Sequence, residues 1–141
     1  MREIKFKGKR LDSKRWVNGY YIFQFSQHYI FEVDGLNGSK VIKHEVYPET
    51  VGQFTGLKDK NGVEIYEGDV VKINTIINVS DELFGEDENF DQEIICEVVF
   101  LEELACFDLK TIEEDLHLKA WGFYGKEDSA TTEIIGNIHD K

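Results

Sequence analysis

Short runs of β-branched and aromatic residues, each closed by glycine, asparagine or aspartate, recur along this chain at intervals too short for helices. That spacing is the signature of a mainly antiparallel β protein with tight connections. Residues 2–8 alternate, with Ile4 and Phe6 on one side and Glu3, Lys5 and Lys7 on the other, the pattern of a strand with one wet face. Strands are also expected in the aromatic run that follows Trp16, over 29–33 and over 40–47, with Asn18-Gly19 forming a tight turn or bulge before the aromatic run. Pro48, the one proline, has no N–H to give a ladder and ends the strand before it.

The strongest turn signal is Lys58-Asp59-Lys60-Asn61-Gly62, because Asn-Gly tolerates the positive φ that a hairpin needs. A short strand around Ile65, a turn at Glu67-Gly68-Asp69 and a buried strand over 70–77 follow. Residues 78–92 are polar and acidic and read as a long loop. Strands over 93–101 and 105–109 read as a hairpin. The alternative is a helix over 101–118, which Phe107 and Leu109 fit poorly. Residues 131–138 close the chain as a strand with a bend at Gly136-Asn137. The sum is roughly eight to ten strands in an all-β fold, barrel-like or split into two β subdomains at about 1–57 and 58–141 within a single domain.

Composition narrows the class further. With 41% hydrophobic residues and 13% aromatics, the chain has the core formers that a disordered segment lacks. Two cysteines are too few for a disulfide scaffold. No apolar stretch is long enough for a membrane helix, and residues 1–15 carry charge from the start instead of the apolar core of a signal peptide. A reducing cytoplasm is the expected compartment.

The net charge is -12, unevenly spread. Residues 1–15 hold seven basic side chains against two acidic ones, an excess of +5 that leaves −17 for the remainder. An acidic protein is repelled by nucleic-acid phosphates unless a local basic patch prevails. Lys5, Lys7, Lys9 and Arg10 are the candidate nucleic-acid contacts, with Trp16, Tyr20, Tyr21 and Phe23 nearby for base stacking. The competing interpretations are an edge strand protected by lysines and aromatics packed in a core. The acidic stretch offers a candidate partner-binding surface at Asp81, Glu82, Glu86, Asp87, Glu88 and Asp91, able to meet a basic protein or to mimic a phosphate backbone. Its plainer interpretation is a solvated surface.

Motifs for chemistry are weak. Cys96 and Cys106 are not spaced as a metal pair and read as core thiols. His28, His44, His117 and His139 are scattered, and a Cys106–His117 dyad has no more support than chance. Asp87, Asn89 and Asp91 match the first three ligand spacings of an EF-hand loop, but Gln92 and Val98 stand where its glycine and glutamate belong. No phosphate-binding glycine loop or nucleophile elbow is present. No catalytic residue, metal or cofactor is expected, and a protein that is not an enzyme follows.

Residues 46–71, VYPETVGQFTGLKDKNGVEIYEGDVV, strongly resemble the signature of the YopX family. The start at 2–9, REIKFKGK, and the end at 133–139, EIIGNIH, resemble it too. The family usually places an aromatic residue where His139 stands and carries a few more residues after it, so a short C-terminal tail is expected here. The resemblance implies a small, mostly β protein of phages and prophages, in the cytoplasm of a bacterial host. It brings no assigned activity and no catalytic residues. Within the signature, Gly56, Gly62, Gly68 and Gly136 fall where turns or bulges need permissive backbone. Asp59 and Asn61 suit a turn, Asp69 suits a cap, and Phe54 and Tyr66 suit a core. The expected function is binding, with a host or phage protein as partner and the chain itself as a homo-oligomer. The alternative is association with nucleic acid or with the proteins that handle it.

Overall fold

The computed structural model describes residues 3–34, 38–80, 87–113 and 132–140. Among these residues, ten antiparallel strands form two open sheets. The first contains β1 (Phe6–Lys9), β2 (Trp16–Gln24), β3 (Gln27–Asp34), β4 (Lys40–Glu45), β5 (Gly52–Lys58) and β6 (Glu64–Tyr66), in the spatial order β4-β3-β2-β1-β5-β6. The second contains β7 (Asp69–Ser80), β8 (Asp87–Leu101), β9 (Cys106–Thr111) and β10 (Thr132–Asn137), in the order β10-β7-β8-β9. The fold is all-β as expected, but it is not a closed barrel, because each sheet ends in two edge strands. The change of sheet comes between Tyr66 and Asp69, so the division expected near residue 57 falls inside the first sheet. No helix of the described residues is long and apolar enough to cross a membrane.

Strand β2 spans both halves of its sheet. Trp16 to Gly19 pair with β1, and Tyr20 to Gln24 pair with β3. Asn18-Gly19 therefore lies inside a strand, which removes the turn from the turn or bulge expected there. Gly19 has φ +156°, and a Cβ on it would sit 2.2 Å from the Phe31 carbonyl oxygen. The β2–β3 turn is made by Phe25 and Ser26 at φ 52° and 63°. In the signature, Gly56, Gly62 and Gly68 adopt positive φ as expected. Gly136 does not, and marks a register shift between β10 and β7.

The largest departure from expectation is at 78–92. Most of this stretch is strand: β7 and β8 pair in continuous register from Val70 with Glu97 out to Ser80 with Asp87. Ladder bonds are made by the backbone, so polar and acidic side chains remove the sequence signal for a strand without removing the strand. Asp87, Asn89 and Asp91 sit in this extended ladder, which is not the coiled loop of an EF-hand. The β8–β9 hairpin replaces the alternative helix as far as Thr111. Trp121 and its neighbours lie outside the described residues.

Two clusters form the core. Val17, Ile30 and Val46 are buried in the first sheet, with Phe6, Tyr21 and Val51 against them. Ile65 of β6 is buried with Val71, Cys96, Val98 and Leu109 of the second sheet, and Leu57 of β5 packs on the same cluster. Strand β6 thus belongs to one sheet by hydrogen bonds and to the other by packing.

Candidate binding groove between the two sheets

The seam between the sheets is held by the acidic residues of the turn-rich segment. Asp59 is buried; its Oδ1 accepts the N–H groups of Asn61 and Val63, each at 2.9 Å, and its Oδ2 accepts that of Ile134 at 3.1 Å. The first two bonds shape the turn expected from sequence, and the third ties that turn to β10. Asp69, only 1% exposed, accepts from Tyr66 N at 2.8 Å, from Asn137 Nδ2 at 3.0 Å and from the Lys7 ammonium. One carboxylate therefore caps a turn, as expected, and also joins β1 to β10. Phe54 and Tyr66 are buried against each other, with ring centroids 5.5 Å apart. The Tyr66 hydroxyl has no partner among the described residues, and burial pushes it up to about 12.

Beside this knot runs an open groove formed by two adjoining cavities of about 400 and 300 Å³ that share Glu49, Thr50, Ile138 and His139. Four pieces of chain build the walls of the second cavity, the 3-10 turn Pro48–Thr50, the Glu67-Gly68 turn, the C-terminal end of β8, and Ile138-His139 after β10, while Lys9, Lys14 and Tyr47 line the first. Backbone bonds join these pieces. Gly68 N donates to Val98 O at 2.8 Å, Ile138 N to Gly68 O at 3.0 Å, and Glu67 N to Gln53 O at 2.9 Å. Thr50 Oγ1 accepts from Lys9 N at 2.9 Å and donates to Tyr47 O at 2.6 Å. The Lys9 ammonium reaches the carbonyl of His139. Gly52 lies flush on the Glu67 carbonyl, where a Cβ would come within 2.2 Å of the oxygen. The groove is thus a fixed feature of the fold.

One end of the groove is acidic. Glu67 and Glu97 are both half-buried, and Glu49 is exposed. None of the three forms an ion pair among the described residues. Burial, and then the neighbouring Glu97, hold the Glu67 carboxyl above the usual carboxylate range. Phe100 and Ile138 line the same cavity and remain 39% and 43% exposed. The described residues hold no cluster of three or more His, Cys, Asp or Glu suited to a metal ion.

The candidates from sequence are distributed differently. Lys5 pairs with Glu64 and Glu3, Lys7 with Asp69, and Arg10 with Asp12, while Lys9 is buried with its ammonium on His139. All four are engaged by acceptors within the protein. The Trp16 indole donates to Asp140 at 3.1 Å, with Lys7 and Lys9 over its ring. Tyr21 packs on Phe6, whereas Tyr20 and Phe23 are 57% and 61% exposed. Asp81, Glu82 and Glu86 lie outside the described residues. Asp87, Glu88 and Asp91 occupy the distal ladder of β8, and the structure does not bring them to the groove. Cys96 is buried, and burial, with Asp108 nearby, pushes its thiol up to about 11. Cys106 is half-buried on the adjacent strand.

Sequence reasoning missed the groove residues Glu49, Glu67, Glu97 and His139 as a set. They are far apart in the chain, and only the strand pairing brings them together.

Comparison with known proteins gives a consistent picture. A family described as "YopX protein" matches residues 5–141. A solved structure, the crystal structure of protein EF1440 from Enterococcus faecalis, superposes with a TM-score of 0.52 at 21% identity, covering 99% of this chain and 95% of that one. At that identity the likeness speaks to the fold. No curated protein matches the chain.

Proposed function

This chain belongs to the YopX family, and on that premise we propose that it is a non-enzymatic interaction protein of phage or prophage origin, acting in the bacterial cytoplasm by binding a host or phage protein. The observation that carries this reading is how the polar groups are used. Asp59, Asp69, Lys7 and Asn137 spend hydrogen-bonding capacity joining strands, and the hydroxyls of Thr50 and Tyr47, which line the groove, are committed to backbone groups, Thr50 to Lys9 and Tyr47 and Tyr47 to Leu11. What faces outward is a preformed groove with apolar surface, Glu67 and Glu97 at one end and Lys9 and Lys14 at the other, which suits recognition better than turnover. The engagement of Lys5, Lys7, Lys9 and Arg10 within the protein weighs against the nucleic-acid alternative.

The test is affinity capture from nuclease-treated bacterial lysate, followed by reconstitution with each purified candidate. The intact protein is compared with one carrying neutral residues in place of the acidic ones from 81 to 93. A stoichiometric complex with a single protein is expected. Failure to reconstitute any complex, together with salt-sensitive capture of nucleic acid once nuclease is omitted, would overturn the reading.

A further inference from the structure

We propose that the groove at the seam of the two sheets receives a short basic–apolar peptide segment of the protein partner, an arginine or lysine meeting Glu67 and Glu97 while the adjoining apolar side chain rests on Phe100 and Ile138. This deepens the interaction-protein reading and rests on it. Three features of the groove support it.

The first is charge. Glu67 and Glu97 are half-buried near one another and carry no ion pair among the described residues. Like charges brought together and partly removed from water raise each other's cost of ionisation, and Glu67 registers that cost. A guanidinium or ammonium set between them would remove it and would be held by charge-assisted hydrogen bonds.

The second is apolar surface. Phe100 and Ile138 stay partly exposed in the same cavity. A bare inorganic cation makes no use of such a surface, and the described residues hold no cluster suited to a metal ion. A peptide that alternates basic and apolar side chains uses both.

The third is preorganisation. The four pieces of chain around the groove are cross-bonded, so binding needs little reordering of the protein. The occupant is not a second copy of this chain. At a net charge of -12, self-association through the Glu67–Glu97 end of the groove brings like charges together. The same net charge steers a basic partner toward the surface.

The probe is a fluorescein-labelled octapeptide of alternating arginine and leucine, titrated into the full chain. Octapeptides alternating glutamate with leucine, and arginine with glycine, serve as comparators. Two double variants lose the same charge at different places: Glu67→Gln/Glu97→Gln in the groove, and Glu103→Gln/Glu113→Gln on exposed surface outside it. The expected result is at least a tenfold loss of affinity for the arginine–leucine peptide in the groove variant. Less than a twofold change is expected in the control, with weaker binding of the arginine–glycine peptide and none of the glutamate one. Equal losses in the two variants would mean attraction by bulk charge and would overturn the proposal, as would unchanged binding in the groove variant. A Phe100→Ala protein tests the apolar half separately and is expected to bring the two arginine peptides to equal affinity. The reconstituted partner complex separates the two readings: a partner bound equally by wild type and groove variant removes the groove and leaves the interaction-protein reading standing.

Discussion

Asp69 illustrates how much a single buried carboxylate organises here. It accepts a backbone N–H from its own turn, an amide from β10 and the ammonium of β1's Lys7, all at 1% exposure. Replacing it with alanine leaves Lys7, itself 17% exposed at its side chain, without its counter-charge and orphans the Tyr66 N–H. Removing one partner of a buried pair costs about 3–5 kcal/mol, so Asp69→Ala is expected to lower the urea midpoint by a large fraction of the protein's total stability. Asp69→Asn, which keeps one acceptor, should fall between. Glu67 works in the opposite direction. Its carboxyl is raised by burial and by Glu97, so the native state holds its proton more tightly than the unfolded chain does. Stability therefore falls as pH rises from the ordinary carboxylate value through the raised one. Glu67→Gln is expected to melt above the wild type at pH 7 and level with it at pH 4; an equal gap at both would show that the carboxyl's charge is not the cause. Part of this was legible in the sequence. The local bonds of Asp59 and the cap of Asp69 follow from turn chemistry within a few residues. The bonds from Asp59 to Ile134 and from Asp69 to Lys7 and Asn137 span most of the chain, and no local pattern announces them.

Among the elements, hairpin β2–β3 stands out because its two-residue turn is built from Phe25 and Ser26, both in left-handed conformations. Such turns favour Asn-Gly, and an ordinary L-residue pays about 1–2 kcal/mol to sit there. Phe25 is 82% exposed, so its side chain returns little of that cost through burial. The double substitution Phe25→Asn/Ser26→Gly is expected to stabilise the protein by about 1 kcal/mol in urea denaturation; a loss of stability would mean that the Phe25 ring makes a contact worth more than the strain. The same turn explains why the sequence offered a turn at Asn18-Gly19 beside the bulge alternative. Asn18-Gly19 carries the standard signal but is used inside β2, where Gly19 lets the strand pass close to the Phe31 carbonyl. Strand existence was otherwise legible wherever one face is apolar, as in β1, β3 and the inner part of β8. It failed at 78–92, because pairing in a polar ladder depends on backbone bonds that composition does not reveal.

For the molecule as a whole, the question is whether two sheets make one folding unit. The groove depends on the answer, since its walls come from both, and for the same reason it was invisible in sequence: Glu49, Glu67, Glu97 and His139 share no local spacing. Several ties cross the seam, among them three that are buried or backbone-mediated. Ile65, at 0% exposure, is hydrogen-bonded within the first sheet but packed in the core of the second. Lys60 N donates to Thr132 O at 2.9 Å beside the Asp59–Ile134 bond. Asp69 holds Lys7 of the first sheet and Asn137 of the second. Neither sheet can open at the seam without exposing Ile65 or stranding a buried charge, and each of those losses is comparable to a sizeable share of a domain's marginal stability. A single two-state transition is therefore expected. Each sheet offers its own reporter. With Trp121→Phe, Trp16 fluorescence follows the first sheet. With Cys106→Ser, the buried Cys96 thiol becomes reactive only when the second sheet opens. The two urea midpoints should coincide, and Asp69→Ala should lower both together. Separate midpoints, or a substitution at Asp69 that moves only one of them, would mean that the sheets fold independently. The groove would then be a contact between two bodies, without the fixed geometry that recognition of a peptide needs.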